Sequence, residues 1–183
     1  MRKPDNDFPN APVTAAALCW AWMLAFGISI CFAQPPRAGT LITDTTTGCR
    51  VWNPNPQPNE TIRWEGACEN GLAQGKGRLQ WLHDGALYET DQGEWNAGRQ
   101  FGHGTQQWPL GRYEGDIVDG EPNGRGALIM KSGRYDGEFR NGKPNGVGSV
   151  TNRYGVFFGT WKDGCFVGEK RKMGVGVSSS ICP

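Results

Sequence analysis

From Trp64 to Gly168 bulky and polar residues alternate, and glycine enters the alternation at fixed places. Trp64-Glu-Gly66-Ala-Cys68, Tyr113-Glu-Gly115-Asp-Ile117, Tyr135-Asp-Gly137-Glu-Phe139 and Phe157-Phe-Gly159-Thr-Trp161 repeat one five-position pattern. Asp91-Gln-Gly93-Glu-Trp95 is a fifth copy, with an acid where the others lead with an aromatic ring. Side chains of a strand alternate between faces, so bulky, glycine and bulky positions share one face. Glu65, Glu94, Glu114, Asp116, Asp136 and Glu138 fall on the other, wet face. A turn signal follows at Asn70-Gly71, Asp119-Gly120, Asn141-Gly142 and Asp163-Gly164. A second strand then carries paired glycines, as in Gly124-Arg-Gly126 and Gly146-Val-Gly148. Its same-face continuation is apolar at Leu79 and Trp81, at Leu128 and Met130, and at Val150. The pattern predicts one antiparallel hairpin per unit, and no helical period is visible after residue 34.

The spacing makes this a repeat. Gly93, Gly98, Gly102, Gly104 and Gly111 recur 22 residues later at Gly115, Gly120, Gly124, Gly126 and Gly133, and again at Gly137, Gly142, Gly146, Gly148 and Gly155. Gly66, Gly71, Gly75, Gly77 and Gly85 form the same set upstream, offset by a five-residue insertion around Ala86 to Thr90. With Gly159, Gly164 and Gly168 these sets hold 23 of the 28 glycines, so the excess of glycine is the repeat itself. Glycine inside a strand costs stability. Here the bare backbone leaves room for an aromatic ring, which builds a core from one sheet. The expected fold is all-β: an extended single-layer array of about five 22-residue hairpins, with strands ~4.8 Å apart and a length of about 45 Å.

Tyr113-Glu-Gly-Asp-Ile-Val-Asp-Gly-Glu-Pro-Asn-Gly-Arg-Gly and Tyr135-Asp-Gly-Glu-Phe-Arg-Asn-Gly-Lys-Pro-Asn-Gly-Val-Gly resemble MORN (membrane occupation and recognition nexus) repeats over about Trp64 to Gly168. Asp91, Cys68 and Ile117 depart from the usual aromatics, and the fifth unit is truncated. The resemblance implies a hairpin array with a groove of aromatics, used in protein association and, by proposal, in membrane attachment.

Arg2 and Lys3 precede an uncharged apolar run from Ala15 to Phe32, and Cys31-Phe-Ala33 offers small residues before Gln34-Pro-Pro-Arg37. This reads as a signal peptide, residues 1–33, with retention as a membrane anchor the alternative. Residues 34–48 are expected to be a flexible linker, 49–63 an N-terminal cap, 64–168 the repeats and 169–183 a C-terminal cap or tail. Cleavage leaves Cys49, Cys68, Cys165 and Cys182, an even number in an oxidising compartment. Three pairings are open. Cys49–Cys68 with Cys165–Cys182 is favoured because each closes a short loop at one end of the array.

No catalytic constellation emerges. Gly-Lys-Gly and Gly-Arg-Gly lack the strand, helix and following Ser or Thr of a phosphate loop. There is no Cys-x-x-Cys, and His83 and His103 have no partner spacing, so neither metal nor cofactor is expected. His103 occupies a variable repeat position and reads as a solvated strand residue. Asn59-Glu-Thr61 matches a glycosylation sequon, and Lys170, Arg171 and Lys172 form a short basic run. A net charge of +1 argues against nucleic acid. The expectation is a non-enzymatic binding or scaffold protein of the periplasm or cell envelope with a protein partner. The alternative is binding of anionic lipid or of a cell-wall polymer. The candidate binding aromatics are Trp81, Trp95, Trp108, Tyr113, Tyr135, Phe139, Phe157 and Trp161, each weighed against a plain packing role.

Overall fold

A computed structural model describes residues 39–168 and 172–182. The expected signal segment, 1–33, lies outside the described residues, as do Lys170 and Arg171. Among the described residues no helix is long and apolar enough to cross a membrane.

The hairpin array is β3 (Glu60–Glu69) with β4 (Leu72–His83), β5 (Ala86–Asn96) with β6 (Arg99–Trp108), β7 (Gly111–Val118) with β8 (Glu121–Met130), β9 (Gly133–Arg140) with β10 (Lys143–Asn152), and β11 (Gly155–Lys162) with β12 (Cys165–Val167). Each strand from β3 to β12 pairs antiparallel with the next, and β1 (Thr40–Thr43) and β2 (Arg50–Asn53) join them in one twelve-stranded sheet. The four expected turns form with both central residues in the left-handed region, for example Asn141 at φ 49° and Gly142 at 73°. That geometry matches the strand twist of a two-residue hairpin. Ala97-Gly98 and Asp84-Gly85 make the same turn. The insertion lengthens the β4–β5 hairpin rather than forming a separate loop.

The glycines align across the sheet. Gly66 faces Gly77, which faces Gly93, and Gly104, Gly115, Gly126, Gly137, Gly148 and Gly159 continue the row. Beside it runs a second row: Trp64, Leu79, Asp91, Gln106, Tyr113, Leu128, Tyr135, Val150 and Phe157. The rings of Trp64, Tyr113 and Tyr135 lie over the glycines of their own hairpins, whereas Phe166 rather than Phe157 covers Gly159. A Cβ at Gly137 would sit 2.5 Å from the Tyr135 hydroxyl, and one at Gly66 2.6 Å from the Trp64 ring. Each ring is then pinned at its polar tip. Tyr113 donates to the Asp116 carbonyl at 2.8 Å, Tyr135 to Glu138 at 3.0 Å, and Trp64 Nε1 to Ala67 at 3.0 Å.

Beyond the glycine row the first four hairpins change register, and the turns of successive units are tied to one another. Gly98 N donates to Ala73 O, Gly120 to Gln100, Gly142 to Pro122 and Gly164 to Pro144, at 2.9 to 3.0 Å.

Both ends are closed by terminal chain. The expected linker 34–48 is, from Thr40, a strand: β1 pairs with β2 from Thr40↔Asn53 to Thr43↔Arg50. The turn after it buries Asp44, whose carboxylate takes the Trp64 N–H at 2.9 Å and the Thr46 N–H at 2.8 Å. Burial works to raise this carboxyl's pKa, but these donors and the Thr47 hydroxyl outweigh it and hold it below the usual range. β2 crosses the turn tips, with Arg50 N donating to Gly71 O and Trp52 N to Gly98 O. At the far end Phe166 N donates to Met173 O, and Met173 and Val175 enter the core. Cystines Cys49–Cys68 and Cys165–Cys182 fasten the two ends, with Cα separations of 5.8 and 5.4 Å.

The core is in two pieces. One comprises Tyr113, Ile117, Tyr135, Phe139, Val150 and Trp161 with Met173 and Val175; the other comprises Val51, Ile62, Trp64, Leu79, Trp81 and Trp95. Buried Asp91, Gln100 and Gln106 stand in the intervening hairpin.

Candidate functional site

The second hairpin breaks the packing rule of the others at three positions. Asp91 stands where Tyr113 and Tyr135 stand, Gln100 where Pro122 and Pro144 do, and Gln106 where Leu128 and Val150 do. No ring covers Gly93 and Gly104; the Gln100 amide reaches them instead. Gln100 donates to the Gln92 carbonyl at 3.1 Å, and Gln106 donates to Gly120 O at 2.8 Å. The Asp91 carboxyl is shorter than a phenol ring, so the substitution leaves space.

That space opens as a cleft of about 430 Å³. Its floor is Asp91, Gln100 and Gln106. Trp81, Tyr88 and Glu89 wall it from the lengthened hairpin, and Trp52, Asn53 and the 54–57 loop from the N-terminal cap. Trp95, Arg99 and Asp119 complete the rim. Three irregular features, the cap, the insertion and the polar hairpin, thus meet at one place.

Its electrostatics are acidic. Trp81 Nε1 donates to Asp91 Oδ2 at 2.7 Å. Asp91 Oδ1 is buried and accepts no N–H from the described residues, the other partner of this carboxyl being the Glu89 carboxyl, and the Trp95 indole N–H is buried without an acceptor. Burial, then the adjacent Glu89 charge, pushes the Asp91 carboxyl well above its ordinary pKa. Burial raises Glu89 to about 7, against the hydrogen bond from Asp91 that favours its charge. The two carboxyls titrate as a coupled pair, the charge of one disfavouring the charge of the other. Glu60 accepts hydrogen bonds from Tyr88 Oη and Asn53 Nδ2, and the Gln57 N–H at 3.2 Å. Burial followed by that contact raises the Tyr88 phenol. Arg99 does not neutralise the floor: its guanidinium lies 4.1 Å from the Trp52 ring centre and 3.6 Å from Asp119.

Of the eight candidate aromatics, Trp81, Trp95, Tyr113, Tyr135, Phe139 and Trp161 are buried, and Trp108 and Phe157 are partly buried against the C-terminal core. Tyr113, Phe139, Tyr135 and Trp161 form a chain of edge-to-face contacts with centroids 5.0 to 5.2 Å apart. Only Trp81 and Trp95 of the eight line the cleft, where they join Trp52 and Tyr88, which the repeat pattern did not single out. Asp116 and Glu138, read as wet-face acids, also accept backbone N–H groups of Arg125 and Val147 at 3.0 and 3.1 Å. His103 is exposed and lies 3.7 Å from Asp116. Among the described residues no group of three or more acidic, His or Cys side chains is arranged to hold a metal ion.

A second region lies on the outer face. Val147, Val156 and Phe158 are exposed there, Phe158 at 73%, with Ser149 opposite Phe158 and Thr151 opposite Val156. Arg125, Asp136 and Glu138 border a shallow groove of about 300 Å³ beside Phe158.

Comparison with curated proteins gives no match. Residues 64–81, 92–109, 113–133 and 135–151 each match the family MORN repeat. These segments coincide with the first four hairpins, and Glu89 and Asp91 of the cleft fall in the gap between the first two. The chain thus carries four copies of the MORN repeat, folded as successive hairpins of one sheet.

Proposed function

We propose that the protein is a non-enzymatic scaffold of the periplasm or cell envelope that holds a protein partner on the outer face of its sheet. The observation that carries this reading is the apolar strip Val147, Val156 and Phe158, presented by a sheet whose ends are closed. An exposed apolar strip with a charged border is the usual makeup of an association surface. The cystines fit an oxidising compartment, where such bonds persist. A photo-crosslinker placed at Val156 in cells tests it. The expected result is one discrete crosslinked protein in the envelope fraction, lost on Phe158→Asp and kept on Phe101→Asp. A chain that yields no crosslink but sediments with vesicles or wall sacculi would overturn protein association in favour of lipid head-group or wall-polymer binding.

A further inference from the structure

We propose that the cleft over Asp91 binds an organic cation able to donate hydrogen bonds, an ammonium or guanidinium group carried on an apolar stem. The site is independent of the outer-face strip.

Four observations converge on that chemistry. Asp91 is only 4% exposed; Trp81 occupies its Oδ2, no N–H of the described residues reaches its Oδ1, and its other partner is a second carboxyl, Glu89. Two ionised carboxylates have no donor to offer each other, so a ligand that donates to the pair relieves the cost of burying it. Glu60, Glu89 and Asp91 lie together, and among the described residues no ion pair reaches any of them. The walls are aromatic: Trp52, Trp81, Tyr88 and Trp95 suit both the apolar stem and a cation against ring faces. Trp52 already hosts Arg99 in that manner. Finally, about 430 Å³ is the size of a small-ligand site. A quaternary ammonium fits the walls equally but cannot donate to Oδ1, so the site discriminates against it. The unpaired Trp95 N–H offers the ligand one further contact, to an acceptor.

Binding carries a proton signature. The groups facing the Glu89–Asp91 pair are Glu60 from β3, Trp81 and His83 from β4, Tyr88 from β5, Arg99, Gln100 and Gln106 from β6, and Asp119 from the turn between β7 and β8. An entering cation favours the ionised carboxyls, so a proton bound to the pair leaves to solvent. Affinity therefore rises as pH increases toward 7, by about tenfold per pH unit for one proton released.

The test is titration calorimetry on the oxidised chain. Probes are 1,5-diaminopentane, a lysine-containing tripeptide, an arginine-containing tripeptide and tetramethylammonium, each in two buffers of different ionisation enthalpy. Expected are saturable heats with the amine or guanidinium probes, a buffer-dependent heat of about one proton, and no heat with tetramethylammonium. The relative affinity of diamine and peptides tells a free amine from a partner's side chain. Asp91→Asn keeps the shape and should weaken binding at least tenfold, with an unchanged far-ultraviolet spectrum, whereas Phe158→Asp leaves binding intact. Absence of heat with every amine and guanidinium probe at millimolar concentration overturns the proposal, as does equal binding of tetramethylammonium or full affinity in Asp91→Asn.

Discussion

The two halves of the sheet use one motif for opposite ends. In the third and fourth hairpins Tyr113, Leu128, Tyr135 and Val150 fill the row beside the glycines, and their rings pack edge to face into a continuous core. In the second hairpin Asp91 and Gln106 occupy the same row, the core is interrupted, and a cleft appears. Turn type and glycine row are nearly the same in both. Polar residues at three repeat positions, Asp91, Gln100 and Gln106, turn packing into a hole with a charge at the bottom, walled by the cap and the lengthened hairpin. The backbone tolerates this because neighbouring hairpins are held by their own ladders and turn contacts.

The largest test of that contrast exchanges the same repeat position in both halves. Tyr135→Ala removes a wholly buried ring and should lower stability by about 3–5 kcal/mol in urea unfolding. Asp91→Ala, its counterpart, should cost far less, since it also removes a buried carboxyl. Equal losses would break the comparison. Next come the ends. Removing either cystine should cost about 3 kcal/mol, but only Cys49→Ala/Cys68→Ala should loosen the wall formed by Trp52 and Asn53. A Trp fluorescence response to pH in the first double variant, absent from Cys165→Ala/Cys182→Ala, separates them.

A pH effect follows from the carboxyl pair. Glu89 holds its proton more tightly folded than unfolded, 7 against an ordinary 4.5. Its contribution to stability is therefore complete below about 4.5 and lost as pH rises through 7. Melting temperature should decline over that window in the parent chain, and Glu89→Gln should flatten the decline. The smallest effect concerns turns. Ala97 sits at φ 48°, where Asn141 sits at 49° in the fourth hairpin. Ala97→Asn should raise stability, and Asn141→Ala lower it, each by up to about 1 kcal/mol. A calorimetric scan reads both.

The regular half of the molecule was legible because each of its features needs a particular residue type. Asn141-Gly142 satisfies two left-handed positions, and a missing Cβ at Gly137 makes room for Tyr135. The pairing of cysteines followed from their placement at the ends of the array. Ala97-Gly98 was hidden because alanine carries no turn signal; the register of Gly98 with Gly120 was the available clue. β1 was hidden because four residues between Pro-rich and Thr-rich chain form a strand only once β2 is there to pair with. The cleft was least legible. Asp91 stood out as a departure, but its consequence depends on Trp52, Glu60 and Tyr88, brought to it by the cap and the lengthened hairpin.

The ties between adjacent turns, Gly120 to Gln100 and then Gly142 to Pro122, link each unit only to its neighbour. The molecule is thus a ruler with marks two strands apart. Splicing in one more 22-residue copy after Asn152 would move the C-terminal clasp away from the acidic end by roughly 10 Å without redesigning either.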